Sequence, residues 1–385
     1  MLTFSGSLRC KLVIRRYVRS VTGGKRRSPK ISKPYNERED LNVDGVIIDK
    51  NRPFTLPPGM FRPKQSLGQN FLSDQNYVNK IVKAFNPLSA GEEGKRVVEI
   101  GSGTGALTRV LLPLYPDMTA VDIDPRGVKF LQTKLPALHC IHGDVLDMDW
   151  CALAAKNSGP LNIIGNLPYN VTSQILFNLV DNYKCIDKVV ITSQWEFAER
   201  VLAKPNTKAY GIPSVVFQLY CSPVLNFKLP PTVFFPVPKV DSALMTMDFT
   251  KPLHPTRVFE VNPRHLRKVL AYGFRMRRKM LRHSLKELLL EVNGPEKQVF
   301  LSERWETKRP EQLSPLDFVE LTKEIYGEAT AMDAIKERIE PETEQSIVAA
   351  NYYSAPSWRS SSSKGGRTVD LSVENVYSEA LILDQ

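Results

Sequence analysis

The sequence predicts a doubly wound α/β sheet followed by a small helical domain, and three observations carry that expectation. Short β-branched runs recur between residues 96 and 192, helical patterns fill the gaps between them, and strand signals stop beyond Pro252. In chain order the strands are expected at 96–100, 118–123, 138–142, 161–165 and 188–192. The helices between them are expected at 76–85, 106–114, 125–134 and 173–183, each with apolar residues three and four apart. Further on, 264–291 and 314–326 read as helices. With 385 residues, 42% of them hydrophobic, the chain can bury one large core and a smaller one.

Five segments follow from composition. Residues 1–34 hold ten Lys and Arg and no acid, interleaved with serines, which is the composition of an organellar transit peptide; a disordered basic arm for RNA is the other reading. Its arginines, including Arg15 and Arg16 beside Tyr17, favour the mitochondrion over the plastid. Residues 35–62, punctuated by Pro53, Pro57, Pro58 and Gly59, read as a linker. The α/β body spans 63–250 and the helical domain 251–327. Residues 328–385 carry Ser360 to Ser363 and Gly365-Gly366 with few apolar residues, and read as a disordered tail.

The net charge of +11 suggests a nucleic-acid partner, but its distribution weakens the inference. Removing the ten leader bases from 52 leaves 42 against 41 acids, so nearly all the excess is N-terminal. Residues 328–385 hold ten acids and five bases, which leaves 37 bases and 31 acids for residues 35–327. No apolar run approaches the roughly 18 residues of a membrane span. The five cysteines are scattered without CxxC spacing, so neither a disulfide framework nor a thiolate metal site is expected, and a reducing compartment fits. His139, Cys140 and His142 fall in one strand, where alternate side chains point to opposite faces, so no metal is expected.

Chemistry concentrates at the strand ends. Gly101, Gly103 and Gly105 sit where the first strand turns into a helix, and let a nucleotide-like ligand approach backbone amides. The same run also satisfies a dinucleotide fingerprint with Asp122 or Asp124 some twenty residues on, so a nicotinamide-dependent dehydrogenase stays open here. Asp122 and Asp144 close the next two strands; one carboxylate can take both ribose hydroxyls and the other an adenine amine, although either could be a helix cap. The fourth strand ends in Asn166-Leu167-Pro168-Tyr169, which alone would be a turn. After such an edge it suits methylation of an adenine amine. The Asn166 side-chain oxygen and Leu167 carbonyl would accept the two N6 hydrogens, Pro168 would stiffen the loop and Tyr169 would stack on the extruded base.

Over residues 63–327 the chain resembles the small-subunit rRNA adenine N6,N6-dimethyltransferases, the bacterial kasugamycin-sensitivity type and its organellar relatives. The resemblance runs through Ser66-Leu67-Gly68-Gln69-Asn70-Phe71-Leu72, the Gly turn, Asp144, Asn-Leu-Pro-Tyr, 194–200, 208–211, 234–243 and 274–285. It implies a Rossmann-like class I methyltransferase sheet and S-adenosylmethionine as cofactor, held by Asn70, Leu72, Gly101, Gly103, Gly105, Asp122, Asp144 and Asn166. Asp122 stands where the family usually has glutamate. The resemblance also makes Phe234 the second wall of the base pocket and gives dimethylation of two adjacent adenines in small-subunit rRNA. Residues 264–286 contain nine bases and no acid, a density suited to RNA phosphate, and Arg275, Arg277, Arg278, Lys279 and Arg282 are the expected contacts. The protein is expected to act on rRNA or a pre-ribosomal small subunit, as a monomer, away from membranes. A non-catalytic RNA-binding or transcription-accessory role, and a large-subunit methyltransferase of the macrolide-resistance type, are the alternatives within the family.

Overall fold

Seven strands form one sheet in the order β6-β5-β4-β7-β8-β11-β9. They are β4 (Val97–Ile100), β5 (Thr119–Asp122), β6 (His139–His142), β7 (Leu161–Asn166), β8 (Ile186–Gln194), β9 (Ser222–Leu229) and β11 (Ser242–Asp248). The first five are parallel, while β11 runs antiparallel between β8 and β9. The computed structural model describes residues 63–87, 89–252, 261–294, 300–327 and 330, and the backbone of two paired strands within the expected linker, β1 (Leu41–Val43) and β2 (Val46–Ile48). The transit peptide expected at 1–34, most of the linker and the tail expected beyond 328 lie outside the described residues.

Alternation along the central strands builds the two layers, because successive side chains leave opposite faces of the sheet. Val98, Ile163, Val189, Ile191 and Met245 join one core, while Val97, Ile164, Val190 and Leu244 join the other. The second core is covered by α1 (Gln75–Phe85), α2 (Thr108–Leu111) and α3 (Pro125–Lys134), through Ile81, Phe85, Leu111 and Leu131. The first takes α4 (Trp150–Lys156), α5 (Thr172–Asp181), α6 (Trp195–Leu202) and α7 (Ile212–Tyr220). The expected helix at 106–114 is shorter, a single turn at α2. Strands β9 and β11 are not legible as an alternating βα series because they close the sheet antiparallel; Pro223 is tolerated in β9 because that strand is at the edge.

The helical segment comprises α8 (Pro263–Arg275), α9 (Leu281–Ser284), α10 (Lys286–Asn293), α11 (Glu303–Glu306) and α12 (Pro315–Tyr326). The single helix expected over 264–291 is therefore three. Met276 leaves helical geometry at φ −129°, ψ 51°, and the Leu281 amide donates to the Lys308 carbonyl instead of continuing the helix. The boundary of α12 follows its sequence: Ser314 and Asp317 form a capping box with Pro315 at the first position. Val269, Leu270, Leu288, Trp305 and Phe318 belong to the same continuous cluster as Val189 and Met245, so this segment shares its core with the sheet.

Cys151 on α4 and Cys185 in the turn after α5 form a disulfide, against the expectation of none. Their separation of 34 residues resembles no spacing rule; folding of α4 against the end of α5 brings them together. Among the described residues no helix is long and apolar enough to cross a membrane.

Candidate active site

A cavity opens at the carboxyl edge of β4, β5, β6 and β7, where the parallel order places the four strand ends side by side. Of the expected cofactor residues, Asn70, Gly101, Gly103, Asp122, Asp144 and Asn166 line it. Gly101 adopts φ +69°, and a Cβ there would find only the Asn166 carbonyl at 3.6 Å, so the backbone is bare toward the cavity. Gly103, at φ +53°, packs under the Phe71 ring, which would stand 2.9 Å from an added Cβ. Gly105 and Leu72 do not line the cavity. Gly105 makes room for Leu131 of α3, and Leu72, 3% exposed, pairs its strand β3 (Phe71–Leu72) with β10 (Phe234–Phe235).

The cavity is fitted to an adenosyl group by its acceptors. Asp122 Oδ2 accepts from the Gly103 amide at 2.6 Å and Oδ1 from the Asp124 amide at 2.8 Å, which leaves one lone pair on each oxygen for a vicinal diol. Burial raises the Asp122 pKa despite those two bonds. Asp144 is both things the sequence allowed: Oδ1 caps the turn after β6 by accepting from Leu146 N at 2.9 Å, and the side chain still faces the cavity. Asp124, the alternative ribose carboxylate of a dinucleotide site, is turned away. Burial would raise its pKa, but hydrogen bonds from Arg126 and Gln69 hold it down at about 2.

Parallel pairing places Thr192 of β8 directly across from Asn166 of β7. The Thr192 hydroxyl donates to Asn166 Oδ1 at 2.5 Å, and Asn166 Nδ2 donates to the Asn70 carbonyl at 2.7 Å. The amide is thereby fixed in one orientation, with one lone pair remaining on Oδ1. The Leu167 carbonyl accepts no hydrogen bond among the described residues, whereas the Pro168 carbonyl is taken by Thr172 Oγ1 at 2.8 Å. Tyr169 is half-buried and its hydroxyl pairs with Ser242 Oγ at 2.5 Å; the ring is held by its far end and does not line the cavity. Phe234, expected as a wall, is fully buried in the core opposite Leu72 and offers no face to a base. Thr192, Ser242 and Phe71 were not singled out from sequence, since only register and packing connect them to the site.

Beneath the Gly turn, Glu99 is 1% exposed and its Oε2 has no hydrogen-bond partner. Burial, with the Asp122 charge adding to it, pushes its pKa from 4.5 up to about 8. The folded state therefore holds the protonated acid. Its contribution is fully present below the unfolded pKa and is lost as pH rises through the folded one. Stability should fall between about pH 5 and pH 8, by an amount on the order of a few kcal/mol from this group. Glu99→Gln should flatten that slope in thermal melts across the window; an unchanged slope would assign it elsewhere.

Four of the nine bases in the basic segment are paired with acids from elsewhere in the chain. Arg267 bonds Asp181, Lys268 meets Glu291 at 2.5 Å and Arg275 meets Glu287 at 3.1 Å. Arg277 bonds Glu311 and the carbonyls of Thr207 and Lys208, so it fastens the helical segment to the α6–α7 loop instead of facing RNA. The acids come from outside 264–286, which is why the sequence run showed only like charge. Arg278, Lys279 and Arg282 line a hollow with His283 and Arg309.

The sheet and this edge define a class I methyltransferase. The family described as Ribosomal RNA adenine dimethylase matches residues 60–323. Ribosomal RNA small subunit methyltransferase A of Salinibacter ruber is 42% identical over 301 residues, covering 76% of this chain and 98% of the relative. The protein of the same name from Legionella pneumophila strain Corby is 38% identical over 278 residues, covering 68% and 98%. The crystal structure of a dimethyladenosine transferase from Plasmodium falciparum superposes with TM-score 0.55 at 24% identity, covering 68% of this chain and 98% of that one, and shares the fold. The chain belongs to the ribosomal RNA adenine dimethylase family.

Proposed function

We propose that this protein transfers methyl groups from S-adenosylmethionine to N6 of two adjacent adenines in small-subunit rRNA. The observation that carries this reading is the fixed Asn166 amide beside the unengaged Leu167 carbonyl. Adenine N6 is a poor nucleophile because its lone pair is delocalised into the ring. Asn166 Oδ1 and the Leu167 carbonyl accept its two hydrogens and draw the nitrogen toward tetrahedral geometry, which localises the pair. Thr192 and the Asn70 carbonyl keep that acceptor aimed. Asp122 and Asp144 hold the adenosyl moiety, and Gly101 lets it approach the backbone. When bound, the cofactor supplies an electrophilic methyl group on a sulfonium centre. The displaced N6 proton passes to solvent, so no strong base is required at the site.

The family membership and the relatives' names support the RNA substrate, and the hollow of Arg278, Lys279, Arg282 and Arg309 supports contact with its phosphates. The arginine-rich, acid-free leader supports import into the mitochondrion, with the plastid as the alternative. The test incubates the purified protein with methyl-labelled cofactor and unmethylated small-subunit rRNA, from mitochondria and from plastids, and maps the labelled adenines. Two adjacent N6,N6-dimethyl products are expected; no label on either intact RNA would sink the function. A reporter fused to residues 1–40 that stays in the cytosol would sink the import reading.

A further inference from the structure

Within the segment from Lys64 to Leu72, Ser66 to Phe71 line the cavity, and one buried carboxylate ties the segment down. Gln69 Nε2 donates to Asp124 Oδ2 at 2.8 Å, while Gln69 Oε1 accepts from the Lys64 amide at 2.9 Å, so this side chain is held at both ends. Lys64 Nζ lies 3.9 Å from the same carboxylate, whose side chain is 0% exposed. Arg126 completes its shell with a fork at 3.0 and 2.6 Å. Capping α3 requires only the Arg126 amide at 3.2 Å. The Gln69 bond reaches across 55 residues of sequence to the segment lining the cavity. Asp124 also reaches the cofactor edge: its amide bonds Asp122 Oδ1, Asp122 Oδ2 bonds the Gly103 amide, and Gly103 packs under Phe71 of the same segment. The contacts therefore form a closed ring.

We infer that Asp124 is a positioning residue that latches residues 64–72 to the ribose-binding edge through Gln69, so that order in that segment and cofactor affinity rise and fall together. This rests on the cofactor reading of the cavity. A carboxylate at position 69 would face Asp124 at hydrogen-bond range, and like charges in so dry a setting repel strongly. An asparagine at 124 would still cap α3 through Oδ1 and could donate to that carboxylate, restoring the bond with its polarity reversed, while the partly exposed Arg126 gives up its bond to the replaced oxygen.

The experiment compares the wild type, Gln69→Glu and the double variant Gln69→Glu/Asp124→Asn. The readouts are trypsin cleavage of the Lys64–Gln65 bond without ligand, S-adenosylhomocysteine affinity, steady-state kinetics and melting temperature. Gln69→Glu should be cut about tenfold faster, bind about tenfold more weakly and raise the cofactor KM with kcat changed less than about threefold, the scale of one charge-assisted bond. The double variant should recover affinity and protection to within about threefold. Unchanged cleavage and affinity in Gln69→Glu would overturn the latch. So would a lowered melting temperature with no recovery in the double variant, which is the signature of general support for the fold. Cleavage is read without ligand, so absence of S-adenosylhomocysteine binding in the wild type would count against the cofactor reading alone.

Discussion

Asn166→Ala is expected to lower methyl transfer by about 10²–10³-fold, the scale of losing one preorganised acceptor, while S-adenosylhomocysteine still binds. The side chain has two duties. In the proposed mechanism it presents Oδ1 to the target amine, and its Nδ2 donates to the Asn70 carbonyl at 2.7 Å. Alanine removes both and strands the Thr192 hydroxyl in a position with no exposure, a further cost of about 1–3 kcal/mol in stability. A Thr192→Val variant separates the duties, because it keeps the acceptor and the Asn70 bond and removes only one of the amide's two anchors; its loss should be smaller. Rapid-quench methyl transfer with the protein saturated in cofactor distinguishes these outcomes. Rates near wild type in Asn166→Ala would refute the acceptor role.

Asp122→Ala should weaken S-adenosylhomocysteine binding by at least about a hundredfold, since it deletes the proposed diol acceptor and also leaves two buried amides unpaired at about 1–3 kcal/mol each. Those amides belong to Gly103 and Asp124, at 2.6 and 2.8 Å from the carboxylate. Asp122→Asn should fall between, because one oxygen can still accept while the amide nitrogen opposes the other N–H donor. Titration calorimetry measures both. Binding within threefold of wild type in the alanine variant would remove Asp122 from the cofactor site.

The parallel half of the fold was legible because its strands are short apolar runs punctuated by helices, and the cavity residues sit at the ends of those runs. Asp122, Asp144 and Asn166 were found by position along single strands. What crosses between strands was not legible. Thr192 faces Asn166 only through the parallel register, and Ser242 meets Tyr169 only because β11 turns back antiparallel. Local composition also misled in one direction: acid-free residues 264–286 looked wholly available to RNA, yet Asp181, Glu287, Glu291 and Glu311 neutralise much of the run from distant positions. The Cys151–Cys185 pair was missed for the same reason, since sequence separation says nothing about α4 meeting the end of α5. Phe234 and Leu72 belong to motif runs, but their strand pairing turns both into the core.

The single core that runs from Val189 and Met245 into Val269, Trp305 and Phe318 makes the helical segment a rigid extension of the sheet. Arg277, bridging Glu311 to the Thr207 and Lys208 carbonyls, braces the joint. The hollow of Arg278, Lys279 and Arg282 is consequently set at a constant span from Asn166, as the two points of a caliper are. On the proposed function, an adenine would reach Asn166 only when the phosphates held by the hollow lie that far away in folded RNA, so the protein would measure the shape of its substrate before it reads a base.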